Sequence, residues 1–129
     1  MQEAMAVYRE AIRQTPNFTP PYNALAIILE SQGKSDEAIS LYKKAVKINP
    51  DLWQTQTHLG NTLWRQGQLD EAIRHYREAI RSNPDYVTAY YNLSYVLSQK
   101  GQPEEANALK QKARDLQRKT QNVPNNPPY

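Results

Sequence analysis

The chain of 129 residues has no cysteine, one phenylalanine, four glycines and two histidines. Without cysteine there is neither a disulfide framework nor a thiolate to serve as nucleophile or metal ligand, and the redox compartment is left open. The histidines, His58 and His75, stand 17 residues apart without a cluster of further ligands, so no metal site is expected. No nucleophile–base motif accompanies either, both read as surface or groove residues, and no catalytic residue is assigned. The glycines do not form a phosphate loop behind a strand, and no cofactor is expected. No apolar run is long enough to span a bilayer and no secretory leader opens the chain. Membrane insertion is therefore not expected, and a cytoplasmic setting is favoured. Basic residues exceed acidic ones only by 16 to 13. Lys110, Lys112, Arg114, Arg118 and Lys119 against Asp115 do concentrate four net positive charges near the C-terminus. No aromatic platform is interleaved with them, so they read as a solvated end and not as a specific nucleic-acid site.

What the chain does have is a ladder. Alanine recurs at Ala4, Ala38, Ala72 and Ala106, and again at Ala11, Ala45, Ala79 and Ala113, each step being 34 residues. Tyr8, Tyr42 and Tyr76 keep the period, as do Pro16, Pro50 and Pro84; Leu25, Leu59 and Leu93; Leu29, Leu63 and Leu97; and Gly33, Gly67 and Gly101. Within one copy, Tyr22, Leu25, Ala26 and Leu29 follow helical i, i+3, i+4, i+7 spacing, and Ala38, Ile39, Tyr42, Ala45 and Val46 form a second amphipathic run. Gly33 can take positive φ between them, Ser35 or Asp36 can cap the second helix, and Pro50 ends it. Ala26, Gly60 and Ser94 leave room for close helix approach, and the tyrosines fill the volume beside them. A fixed period of this length means stacked copies of one helix-turn-helix, which make an extended surface and no enclosed reaction pocket.

The order of a small residue after Leu, a mid-repeat Gly, then Ala, Tyr, Ala and Pro resembles the tetratricopeptide repeat family. Leu25-Ala26, Gly33, Ala38, Tyr42, Ala45 and Pro50 carry that pattern, and Leu59-Gly60, Gly67, Ala72, Tyr76, Ala79 and Pro84 carry it again. The resemblance runs to about Ala113. It implies an all-α, right-handed solenoid of antiparallel helix pairs and a role in protein–protein interaction.

Gln2-Glu3-Ala4-Met5 aligns with Asp36-Glu37-Ala38-Ile39, so the chain opens at the second helix of a repeat, as a fragment of a longer repeat protein would. The expected organisation is a second helix within 1–18, repeats at 19–52, 53–86 and 87–119 with a capping last helix, and a disordered tail at 120–129. That makes seven helices, near 2–14, 19–32, 36–48, 53–66, 70–82, 87–100 and 103–119, or about three and a half repeats. The first helix lacks a partner. Its stripe of Met1, Met5, Tyr8 and Ile12 is expected to be uncovered and to support homo-oligomerisation. At the other end Lys110 stands where tyrosine is due and Arg114 where Ile80 would repeat, the polar face of a terminal cap. Asn126-Pro127-Pro128-Tyr129 looks like a short tyrosine motif in the tail.

In this architecture the first helices line the concave groove, and their variable positions are the candidate site: Asn23, Ile27, Gln54, Thr57, His58, Asn61, Arg65, Tyr91, Asn92 and Tyr95. Amides that both donate and accept, beside tyrosines that add stacking area, suit the backbone of an extended peptide. Resemblance to repeats that clamp a C-terminal carboxylate is incomplete: Asn61 and Asn92 fall in register, but Thr57 holds a basic position. The groove also resembles in part the asparagine ladder of O-linked N-acetylglucosamine transferases, with Asn92 on a rung and Ala24 and His58 off it. The expected function is a scaffold for a protein or peptide partner. A substrate-docking fragment of a larger enzyme and a structural homo-oligomer are the alternatives.

Overall fold

A computed structural model describes residues 1–121. Among them the chain forms seven α-helices and no strand: α1 (Gln2–Gln14), α2 (Pro20–Ser31), α3 (Ser35–Ile48), α4 (Trp53–Arg65), α5 (Leu69–Ser82), α6 (Val87–Gln99) and α7 (Pro103–Gln121). Each helix packs on the next, and α4 also reaches α6, so the helices pair and the pairs stack. This is the helical solenoid that the 34-residue period requires. α7 runs two residues past the expected end of its cap, to Gln121. The rest of the expected tail, including Tyr129, lies outside the described residues.

The helix boundaries have a common local cause. Gly33, Gly67 and Gly101 take φ of 79°, 80° and 79°, the left-handed region that only glycine enters without a Cβ penalty. At the first, the Gly33 amide donates to Glu30 O at 2.9 Å and the Lys34 amide to Leu29 O at 2.8 Å, closing a Schellman motif. The same pair of bonds recurs at Gly67 with Gln68 and at Gly101 with Gln102. Lys34 then accepts the first helical bond of α3 from Ala38 N at 3.1 Å, so one residue ends one helix and begins the next. The expected caps Ser35 and Asp36 therefore fall inside α3, which carries no side-chain cap. Three residues suffice for the turn, and none is left over for a capping serine.

The core follows the ladder. Ala26, Ala38, Tyr42, Ala45, Ala72, Ala79 and Ala113 are fully or almost fully buried, with Leu29, Leu59, Leu63, Leu97 and Tyr76 among them. The small residue Gly60 on α4 faces a tyrosine of α5: the Tyr76 ring occupies the space a Cβ would need. At the turns between repeats, the carbonyl oxygens of Pro16 and Pro84 accept the hydroxyls of Tyr22 and Tyr90, each at 2.7 Å.

The middle repeat departs from this pattern twice, and the two departures meet. Gln56 stands where Tyr22 and Tyr90 stand, and His75 where Leu41 and Leu109 stand. Gln56 Nε2 donates to Pro50 O at 3.1 Å, and Gln56 Oε1 lies 2.7 Å from His75 Nδ1. The Nδ1 is thus the protonated nitrogen, and the buried Nε2 is left without a partner among the described residues. His75 is a core residue between α4 and α5, not the surface or groove residue its sequence context predicts, because the glutamine offered from α4 makes its burial tolerable. Burial first, with Arg74 and Lys43 adding to it against the opposing pull of Glu71 and Glu78, lowers its pKa from 6.5 to about 4. No described helix is long and apolar enough to cross a membrane.

Candidate functional site

The first helices α2, α4 and α6 are joined along one face by side-chain bonds between repeats. Thr55 Oγ1 donates to Asn23 Oδ1 at 3.1 Å, Arg65 Nη1 to Glu30 Oε2 at 2.7 Å, Asn92 Nδ2 to Asn61 Oδ1 at 2.9 Å, and Trp64 Nε1 to Gln99 Oε1 at 2.6 Å. The face falls into two halves of different character.

Between α2 and α4 the polar groups satisfy one another. The Tyr42 hydroxyl rises from α3 to donate to Glu30 Oε1 at 2.6 Å, and Arg65 holds the other carboxylate oxygen. Burial pushes the Glu30 pKa up, but the hydrogen bonds from Tyr42 and Arg65 and the guanidinium charge help to outweigh it and hold the carboxylate below its usual range. Burial and the same bond push the Tyr42 phenol up. His58 lies flat on Tyr42, ring centroids 5.9 Å apart and planes within 6°, and burial lowers its pKa. Ile27, His58 and Arg65 border a shallow depression here with Glu30 and Ser31.

Between α4 and α6 the face opens into a hollow of about 520 Å³. Asn61, Tyr91, Asn92 and Tyr95 line it, as the sequence predicts, together with Trp64, Tyr76, Ser94, Asn107 and Lys110. Tyr95, 58 % exposed, stands edge-on to Trp64 with ring centroids 5.5 Å apart. Tyr91 donates its hydroxyl to Gln117 Oε1 at 2.8 Å, which ties α6 to α7. The Asn61 carbonyl oxygen accepts from both the Tyr76 hydroxyl and Asn92 Nδ2. Among the described residues that leaves the Asn61 NH₂ and the Asn92 carbonyl oxygen unpaired, a donor group beside an acceptor, the complement of a peptide group.

The structure thus gathers four of the ten predicted residues in one hollow and Ile27, His58 and Arg65 in a second depression. Asn23 is engaged with Thr55, and Gln54 is exposed at the start of α4. Thr57 does not belong to the surface: it is 3 % exposed, and its short side chain turns back to donate to Trp53 O at 2.8 Å. Trp64 was missed, although it repeats the position of Glu30 one period on and the register alone could have found it. The N-terminal stripe needs correction as well. Met5 is 6 % exposed and joins the core, while Tyr8 and Ile12 are half-buried against it, leaving only Met1 of the four uncovered. A second helix packs on the following repeat as well as on its own partner, and this stripe is the side that α2 covers. Among the described residues no group of three His, Asp or Glu is placed to hold a metal ion.

Equal helix pairs stacked into a solenoid, with one face open and polar-aromatic, define a helical-repeat protein. Family comparison specifies the repeat: a family described as TPR repeat matches residues 28–67 and 60–101, and two described as tetratricopeptide repeat match 7–40 and 87–119. The chain belongs to the tetratricopeptide repeat family. No curated protein matches it. Among solved structures it resembles a MamA protein at 20 % identity and TM-score 0.85, over 98 % of this chain and 70 % of that one. MamA from Desulfovibrio magneticus RS-1 is similar at 19 % identity and TM-score 0.81, over 92 % and 67 %. YrrB, a TPR protein with an unusual peptide-binding site, aligns at 25 % identity and TM-score 0.77, over 84 % of this chain and 56 % of YrrB.

Proposed function

We propose that the chain is a non-enzymatic interaction scaffold that holds an extended peptide in the concave groove formed by α2, α4 and α6. Its units are a second helix in 1–18, repeats at 19–52 and 53–86, and a capped repeat at 87–119. The observation that carries the reading is the Asn61–Asn92 pair, which offers one donor and one acceptor beside Tyr91, Tyr95 and Trp64 in the larger hollow. Amide pairs of this kind read backbone and not side-chain sequence, while the aromatic rings supply area at little entropic cost. The peptide-binding site named for YrrB agrees with a peptide ligand here. His58 extends the groove toward α2, where the Glu30–Tyr42–Arg65 cluster serves as a rigid wall.

The test is to pan a random peptide library on the folded chain and measure the selected peptides against Asn61→Ala combined with Asn92→Ala. Affinity is expected to fall about tenfold or more as two backbone-directed groups are lost. Unchanged affinity in a variant whose circular dichroism matches the parent would reject the groove.

A further inference from the structure

The hollow beside α6 has an internal reason to exist. In the first two complete repeats the second helix carries a tyrosine in register with the small residue of the first, Tyr42 with Ala26 and Tyr76 with Gly60. Both tyrosines are buried, and both hydroxyls end on a polar group of the binding face, Tyr42 on Glu30 and Tyr76 on Asn61. The third repeat keeps the small residue, Ser94, 3 % exposed, but has Lys110 where the tyrosine is due and Asn107 where Ile39 and Ile73 stand. The hollow of about 520 Å³ lies at this place, lined by Ser94, Ala106, Asn107 and Lys110 together with Asn61, Asn92 and Tyr95. It is the seat of an absent tyrosine, open to the groove.

We propose that this seat takes a tyrosine side chain from the bound peptide, with an acidic residue next to it held by Lys110. This deepens the groove reading and rests on it. Three observations fix the occupant. The two preceding repeats show that the same position between the same elements is filled by a phenol whose hydroxyl is received by an amide or carboxylate of the face. The wall carries Trp64 and Tyr95 at edge-to-face distance, a geometry that a further ring extends. The rim carries an ammonium that none of the ion pairs among the described residues uses, at the start of a segment, 110–119, with four net positive charges (five basic, one acidic). A carboxylate beside the phenol complements that charge. A leucine-sized side chain would leave the polar end of the seat unpaired.

The experiment measures fluorescence anisotropy of a labelled degenerate peptide pool with one tyrosine fixed between two glutamates, against the same pool with alanine in place of the tyrosine. The tyrosine pool is expected to bind at least about tenfold more tightly. Lys110→Tyr, which refills the seat from within, is expected to abolish that preference and to raise Tm. Equal binding of the two pools overturns the proposal, and because it is read on the unaltered protein it does so even if Lys110→Tyr fails to fold. If the two pools bind the unaltered protein equally and Asn61→Ala with Asn92→Ala weakens both, the groove stands and the seat falls; if the double variant weakens neither pool, the groove itself falls. A tyrosine preference that emerges only in Tyr129→Ala would assign the seat to the chain's own terminal tyrosine. A dimer in sedimentation velocity that Lys110→Tyr converts to monomer would assign it to a second copy. Either result overturns a peptide partner as the occupant.

Discussion

Gly60→Ala tests the packing logic of the whole array because it sets two effects of opposite sign against each other. Gly60 is buried in the middle of α4, where alanine ordinarily gains about 0.5–1 kcal/mol through backbone entropy and helix propensity. A Cβ placed there would lie 2.7 Å from Tyr76 Cε1, 2.9 Å from Cδ1 and 3.0 Å from Cζ, too close for real carbon contacts. The ring has little freedom to retreat, being 1 % exposed and tied through its hydroxyl to Asn61. In the preceding repeat Tyr42 runs instead to Glu30, but that position holds Trp64 here, which offers no acceptor. Overpacking of this kind costs about 1–3 kcal/mol. The single variant should therefore lose up to about 2 kcal/mol net, and Tm should drop by about 3–5 °C for each kcal/mol in a chain of this size. In a Tyr76→Leu background the clash is gone and the same alanine should stabilise by about 0.5–1 kcal/mol. Urea unfolding of the four proteins, followed by circular dichroism, reads the coupling free of the propensity term. A value of about 1–3 kcal/mol is expected. Additivity within about 0.5 kcal/mol would refute the account of why the ladder needs its small rungs.

The buried His75 predicts a loss of stability in mild acid. Its folded pKa is lowered from 6.5 to about 4, so its contribution is complete above pH 6.5 and fades toward pH 4 as the unfolded chain takes up the proton. The shift corresponds to about 3 kcal/mol at 1.36 kcal/mol per unit. Urea midpoints between pH 7 and 5 should fall in the parent and stay nearly level in His75→Leu with Gln56→Tyr, which restores the residues of the neighbouring repeats; parallel slopes would count against the assignment. Glu30→Leu should destabilise by about 1–3 kcal/mol, because it leaves the buried Tyr42 hydroxyl without its acceptor, whereas Glu30→Gln should cost less. Thermal melts that cannot tell the two apart would remove the carboxylate from that role. Gly33→Ala should cost about 1–2 kcal/mol although its added methyl meets no atom within 4 Å, since the expense is the positive φ alone. Gly33→Asn, which tolerates that conformation, should recover part of it, and an alanine variant as stable as the parent would disprove the turn's dependence on φ.

The period made the fold legible. A residue that recurs every 34 positions has the same neighbours in each copy, so helix number, pairing and the buried face could be read without coordinates, and the helix bounds came within two residues. Local chemistry was less legible where one residue served two purposes. Lys34 both closes α2 and opens α3, which puts the cap one residue before Ser35 and two before Asp36. Register also says which side of a helix a residue is on, but not how far its side chain reaches. Thr57 and Tyr91 share a position; the threonine bonds its own helix, while the tyrosine reaches Gln117 on α7. Pairs of departures from the repeat were invisible singly. His75 reads as a surface or groove residue until its 2.7 Å contact with Gln56 places it in the core. Met5 illustrates the converse, a residue expected to be bare because its own repeat is incomplete and yet covered by the next one.

The central claim is that the face joining α4 to α6 binds peptide, and the side-chain amides of Asn61 and Asn92 report on it directly. Titrating the ¹⁵N-labelled chain with a library-selected peptide, while following side-chain NH₂ and backbone resonances, tests it in one measurement. Shifts at the Asn61 and Asn92 amides, at the Trp64 indole and along α6 are predicted, with α3 and α5 surface positions such as Lys44 and Arg74 unmoved. Shifts confined to α1 or to those outer surfaces, with both asparagine amides unchanged at saturation, would contradict it.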